Sequence, residues 1–112
     1  MRKPDDRTRL RHMLDAGLDA QRFAAGRTRA DLESDRGLAL ILVKCIEIIG
    51  EAAAHLTTET RAQFPQVPWQ EIIGMRNHLI HAYYDIAYDV VWDTVHHNLP
   101  PLLTELKAHL EA

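Results

Sequence analysis

One stretch of this 112-residue chain limits its possible folds more than any other. Residues 38–56 are apolar nearly all round a helix, and their polar members, Lys44, Glu47, Glu51 and His55, fall three or four apart. That spacing gathers the four into one stripe along the helix axis. A helix this apolar must lie at the centre of a bundle or have a second face covered by another chain. A domain of this size has limited means of burying such a helix alone. The pattern therefore predicts an all-α bundle that forms a homodimer. The charges in the stripe argue against a membrane span.

The flanking segments fit a single domain over residues 1–112, with no repeat, linker or low-complexity tract. A first helix is predicted over residues 5–25, with Leu10, Met13, Leu14, Gly17, Leu18, Gln21, Ala24 and Ala25 on one side and Gly26 as its stop. Thr28 and Asp31 suggest the cap of a short helix. The long apolar helix then begins near Ser34 or Asp35. Residues 58–64 read as a helical turn ended by Pro65. Pro68 suits the first turn of a third long helix. Its apolar stripe is Ile72, Met75, Leu79, Ala82 and Ile86, and its end is expected near Tyr84 or Asp85. A fourth helix over residues 87–98, a break at Pro100 and Pro101, and a last helix over residues 102–110 complete the expectation.

Charge and cysteine content narrow the function classes. The net charge is −3, unevenly spread: residues 1–36 hold nine Lys and Arg against seven Asp and Glu, whereas residues 37–112 hold four against nine. A nucleic acid would have to meet a local basic site and not a global field. Arg2, Arg7, Arg9 and Arg11 are candidates for phosphate contacts, although a solvated helix face is the plainer reading. The single cysteine, Cys45, permits no internal disulfide, and Arg2-Lys3-Pro4-Asp5-Asp6 lacks the apolar run of a signal peptide. A cytoplasmic protein is expected.

The chemistry concentrates in Arg76-Asn77-His78-Leu79-Ile80-His81-Ala82-Tyr83. Arginine neutralises phosphate and histidine moves protons near pH 7, two main requirements for cutting RNA without a metal. On a continuous helix Asn77, His81 and Asp85 would share one face, and Arg76 and Tyr83 the adjacent row. Arg76 and His81 would point roughly 140° apart, so two copies related by a two-fold axis would assemble a fuller site than one. Arg76 sits where its row calls for an apolar residue and needs a partner. Glu51, on the polar stripe, is the expected one. On spacing alone a structural Arg76–Glu51 ion pair competes with a catalytic role. No metal-ligand spacing, phosphate loop or nucleophile motif occurs, so neither a metal nor another cofactor is expected. Trp69 and Trp92 read as packing residues, His96 and His97 as surface residues, and His12, His55 and His109 have no special context.

The same residues match the R-x4-H-x-Y form of the HEPN-domain motif found in HepT-type toxins. Ile48-Ile49-Gly50-Glu51-Ala52-Ala53, Val67-Pro68-Trp69, Ile73-Gly74-Met75-Arg76-Asn77, Asp85, Val91-Trp92 and Leu99-Pro100 extend the resemblance along most of the chain. The resemblance implies a compact bundle of about five helices, a two-fold homodimer and a motif in the interface cleft. It also implies a metal-independent endoribonuclease toxin, with Arg76 and His81 catalytic and Asn77 supporting. Glu51 and Asp85 are assigned supporting positions. RNA is the implied substrate, with transfer RNA one target class that nothing in the sequence selects. The implied partner is an MNT-type nucleotidyltransferase antitoxin that modifies Tyr83 with AMP. The alternative is a non-catalytic HEPN module that binds a nucleotide or docks the nucleotidyltransferase.

Overall fold

The fold was analysed in a computed structural model, which describes residues 5–82 and 85–111. It is mostly helical. Helix α1 (Asp6–Ala24) and helix α3 (Arg36–Ala54) form the central pair, and α7 (Leu99–Leu110) packs along α1. Each start has a local cause. The Asp5 carboxylate accepts the Thr8 N–H at 2.8 Å, and the Asp35 carboxylate accepts the Leu38 N–H at 3.1 Å, satisfying orphan donors of the first turn. Helix α1 ends where Gly26 takes φ +74°, a conformation that favours glycine. Between them, the Thr28 N–H donates to Asp31 Oδ2 at 2.7 Å at the head of the short α2 (Arg29–Ser34).

The core is one contiguous cluster. Leu10, Met13 and Leu14 of α1 meet Leu42, Ile46 and Ile49 of α3 and Leu106 of α7, all essentially buried. Gly17 lets α7 approach α1, because a Cβ there would lie 2.3 Å from Leu103 Cδ2. Helix α3 is central but not wrapped. Leu40, Ile41 and Ile48 stand 47%, 38% and 37% exposed beside the polar stripe, so its outward face is open in the single chain. Among the described residues, no helix is long and apolar enough to cross a membrane.

The segment after α4 (Thr58–Ala62) departs from the expected third helix. Helix α5 (Trp69–Gly74) stops at the glycine, residues Met75–His78 form a 3-10 turn, and a two-stranded hairpin follows: β1 (Ile80–Ala82) antiparallel to β2 (Asp85–Ile86). Gly74, Asn77 and His78 are poorer helix formers than alanine or leucine, and Ile80 suits a strand. The apolar residues still reach the core: Ile72, Met75, Leu79 and Ile86 are buried. Ile86 arrives by pairing across from Ile80, and the Ala87 N–H donates to Leu79 O at 2.7 Å. Ala82, expected on the inward stripe, is exposed. An expected end near Tyr84 falls outside the described residues.

The prolines also behave differently from expectation. Helix α6 (Tyr88–Asp93) runs into a π turn (Thr94–Asn98) and on into α7, so Pro100 and Pro101 lie in the first turn of α7 and do not separate two helices. A proline in a regular helix lacks its N–H and crowds the carbonyl four residues back. The π turn widens the ladder just before them, with the Leu99 N–H reaching back to Thr94 O. Trp69 and Trp92 are half-buried against the core, and the Trp69 indole donates to Arg61 O at 3.0 Å.

Candidate functional site

Arg76 is the only charged side chain of the 3-10 turn that meets α3 through a recorded contact. It crosses Gly50, where an added Cβ would lie 3.3 Å from Arg76 Cδ and 3.4 Å from Ile72 O. A larger residue at 50 would push α3 and α5 apart. Beyond the glycine, Arg76 Nη1 donates to Glu51 Oε2. The partner expected from the polar stripe is therefore the partner observed. Arg76 is 32% exposed and Glu51 63%, so the pair is a surface one, worth about 0–1 kcal/mol. Such a pair opens easily, and the recorded bond uses one of the guanidinium's five N–H donors.

Glu51 also binds the next turn of its own helix. His55 Nδ1 donates to Glu51 O at 2.9 Å and lies 3.6 Å from Glu51 Oε1. That assigns Nδ1 the proton and turns Nε2 outward. Arg76, Glu51 and His55 thus form one linked set across two elements. His55, given no context by its sequence neighbours, lies at the C-terminus of α3 within reach of the motif arginine.

The remaining motif residues occupy a different kind of structure from the one expected. Asn77 is exposed on the 3-10 turn, His81 on β1, and Asp85 on β2 across from Ala82. The shared helical face of Asn77, His81 and Asp85 does not exist, because the helix ends before all three. They are neighbours through a turn and a hairpin instead. Among the described residues no hydrogen bond or ion pair joins Arg76 to His81. Tyr83, expected in Arg76's row, lies outside the described residues, as does Arg2.

Around Arg76 opens a groove of about 670 Å³ between α1 and α3. Arg9 and His12 line it from α1, and Lys44, Glu47 and His55 from α3. Arg9 lies 3.6 Å from Asp6, which is tied to the head of α4, just past the end of α3: the Thr60 and Thr57 hydroxyls both donate to its Oδ2. Those hydrogen bonds hold the Asp6 carboxyl below its ordinary value. His12 was not legible from its own segment, and only packing of α1 on α3 brings it to this groove; His55 shares the polar stripe with Glu51, although nothing in the sequence singled it out. Arg7 serves elsewhere, donating to Leu110 O at 3.1 Å. Cys45 is buried, and burial together with nearby Asp19 pushes its thiol up, so it makes a poor nucleophile. Among the described residues no group of three or more His, Cys, Asp or Glu is placed to hold a metal ion.

Residues 13–109 match the family model described as Ribonuclease HepT-like. The chain belongs to the HepT-like family. Its relatives include the Methanocaldococcus jannaschii protein named "Putative RNase MJ1380", 31% identical over 107 residues covering 96% of this chain and 98% of that protein. The protein named "Putative RNase TTE0752" from Caldanaerobacter subterraneus subsp. tengcongensis is 40% identical over 81 residues, 72% of each chain. The Thermococcus cleftensis protein named "Probable ribonuclease HepT" is 35% identical over 72 residues, 64% of this chain and 66% of that one. No solved structure matches this HepT-like chain.

Proposed function

We propose that this HepT-like protein is a metal-independent endoribonuclease and the toxin of a toxin–antitoxin pair, acting as a two-fold homodimer in the cytoplasm. The observation that carries the reading is the Arg76 guanidinium, held at the mouth of a cation-rich groove by a single weak ion pair, with His81 exposed on the hairpin that follows. Membership of a ribonuclease family supplies the reaction class.

The chemistry follows from the residue types. His81 takes the proton from an RNA 2′-hydroxyl, and the oxygen attacks the adjacent phosphorus. Arg76 exchanges Glu51 for the phosphoryl oxygens as negative charge builds on them. The P–O5′ bond breaks, and the partner subunit's His81 protonates the leaving oxygen. The products are a 2′,3′-cyclic phosphate and a 5′-hydroxyl. Asn77 and Asp85 support the reacting groups, and Glu51 orients Arg76 before substrate arrives. Leu40 and Ile41, toward the start of α3, supply an open apolar face for a second copy. The antitoxin is an MNT-type nucleotidyltransferase that transfers AMP to Tyr83, adding bulk and a negative phosphate beside the motif. The substrate is RNA, with transfer RNA one target class.

The test is cleavage of a labelled RNA by the purified protein in EDTA, with product ends identified, alongside growth on expression. Cleavage in EDTA to cyclic-phosphate ends, and growth arrest relieved by Arg76→Ala or His81→Ala with folding retained, support the reading. Equal cutting of DNA, or full loss of cleavage in EDTA, overturns it. A parent and variants that behave alike favour the non-catalytic module that docks the nucleotidyltransferase.

A further inference from the structure

We infer that the groove between α1 and α3 is a track for the RNA backbone, in which Arg9, His12, Lys44 and His55 hold phosphates flanking the one bound by Arg76. The inference deepens the ribonuclease reading and rests on it for the identity of the strand.

Three elements contribute to the track. Arg9 and His12 come from α1, Lys44 and His55 from α3, and Arg76 from the 3-10 turn. Its formal charges are Arg9, Lys44 and Arg76 against Glu47 and Glu51, an excess of one cation before the histidines are counted, with Glu51 engaged by Arg76 and Arg9 by Asp6. That local balance opposes the chain as a whole, whose net charge is −3 and whose residues 37–112 are strongly acidic. A cation-rich groove on an acidic protein is where a polyanion would be drawn. Lys44 to His55 spans eleven residues of helix, about 16 Å at 1.5 Å per residue, long enough for more than one phosphate.

The rest of the lining says how the strand would be read. It is apolar at Ile48 and Ala52 and holds no Phe, Tyr or Trp among the described residues, so the only rings it offers to bases are the small imidazoles of His12 and His55. Lysine and arginine would meet phosphate oxygens and position the strand without selecting sequence. His55, with Nδ1 anchored to the Glu51 carbonyl, lines the groove with its Nε2 free of that bond, a further donor when charged. An acidic protein partner is the competing occupant. The groove's position at Arg76 favours the RNA strand that the same arginine would engage.

The probe is a short labelled single-stranded RNA with 2′-O-methyl riboses, which 2′-hydroxyl attack cannot cleave. Binding is measured by fluorescence anisotropy across a salt series for the full chain, Lys44→Gln, Arg9→Gln and the double variant His12→Gln/His55→Gln. Lys107→Gln, on exposed α7 away from the groove, is the control, and thermal melts show that each variant is folded. The expected result is about tenfold weaker binding for Lys44→Gln, with the log–log salt slope reduced by roughly one, and a smaller loss for the histidine pair. The control binds like the parent. Weakened groove variants uphold the track even if the parent fails to cut ordinary RNA, in which case the nuclease reading falls alone. A parent that cuts ordinary RNA while every groove variant binds the probe as the parent does overturns the track and leaves the nuclease reading intact. A parent that does not bind the probe also overturns it.

Discussion

The α1–α3–α7 core and the segment from Gly74 to Asn98 are built on opposite principles. In the core, Leu10, Met13, Leu42, Ile46 and Leu106 follow the helical period and are buried without exception. From Gly74 onward the backbone changes type repeatedly: 3-10 turn, hairpin, short helix, π turn. Most of the motif's polar groups, Arg76, Asn77, His81 and Asp85, lie on the irregular side. A regular helix would spread them around its axis, whereas a tight turn and a hairpin leave them exposed at one end of the fold. The irregular segment is anchored in the same core by Met75, Leu79, Ile86, Val91 and Val95, and Gly50 is where its arginine passes over α3.

The strongest way to break that comparison is to exchange the effects. His81→Ala is expected to lower cleavage by about 10²–10⁴-fold, the range for losing a general acid–base group, while stability changes by no more than about 0.5 kcal/mol. Ile46→Ala is expected to do the reverse, costing about 2–5 kcal/mol through a cavity in α3 while activity per folded molecule stays near that of the parent. Urea unfolding and cleavage rates measured on both variants decide. If His81→Ala unfolds the protein, presentation and stability are not separable in this fold.

A second prediction probes the joint between α1 and the head of α4. The Thr57 and Thr60 hydroxyls donate to Asp6 at 2.5 and 2.6 Å and depress its carboxyl. Because the folded value is below the unfolded one, the stabilisation is complete above the ordinary value near 3.8 and is lost as pH falls from there through the folded value. Asp6→Asn is therefore expected to cost about 1.5–3 kcal/mol at pH 7, the range for hydrogen bonds to a charged group. The difference from the parent should shrink in urea melts carried below that carboxyl range. A gap that stays constant down to pH 2 would mean the charge contributes nothing.

The same division explains what could be read from the sequence. The helix starts near Asp5 and Asp35, the stop at Gly26 and the recurrence of Leu10, Met13, Leu14 and Ala24 act through near neighbours, so local pattern was enough, although Leu18 of the same predicted side is exposed. The Glu51–Arg76 pair was legible because a single polar stripe left few partners for a charge in an apolar row. The hairpin was not, since Ile72, Met75, Leu79 and Ile86 satisfy a helical stripe and are equally buried by a turn that doubles back. Pro100 and Pro101 read as a break because a π turn leaves no compositional mark. His12 reaches the groove only through packing of α1 on α3, which no local pattern encodes, whereas His55 lay on the polar stripe with Glu51 without being singled out.

The subtlest prediction concerns the contact between the two regions. Gly50→Ala adds a Cβ 3.3 Å from Arg76 Cδ, 3.4 Å from Ile72 O and 3.6 Å from Ile73 O. Alanine is the better helix former by about 1 kcal/mol, and the crowding offsets part of that gain. Stability should thus move by less than about 1 kcal/mol in either direction. Arg76 must shift by a few tenths of an ångström to admit the methyl, and it is the group proposed to meet the phosphate. Small misplacements at a reacting centre are felt in rate, so cleavage should fall by roughly three- to tenfold, in kcat more than in KM. Were the rate unchanged and only the melting temperature altered, Arg76's course over Gly50 would be a packing detail, and the pair with Glu51 would be structural alone.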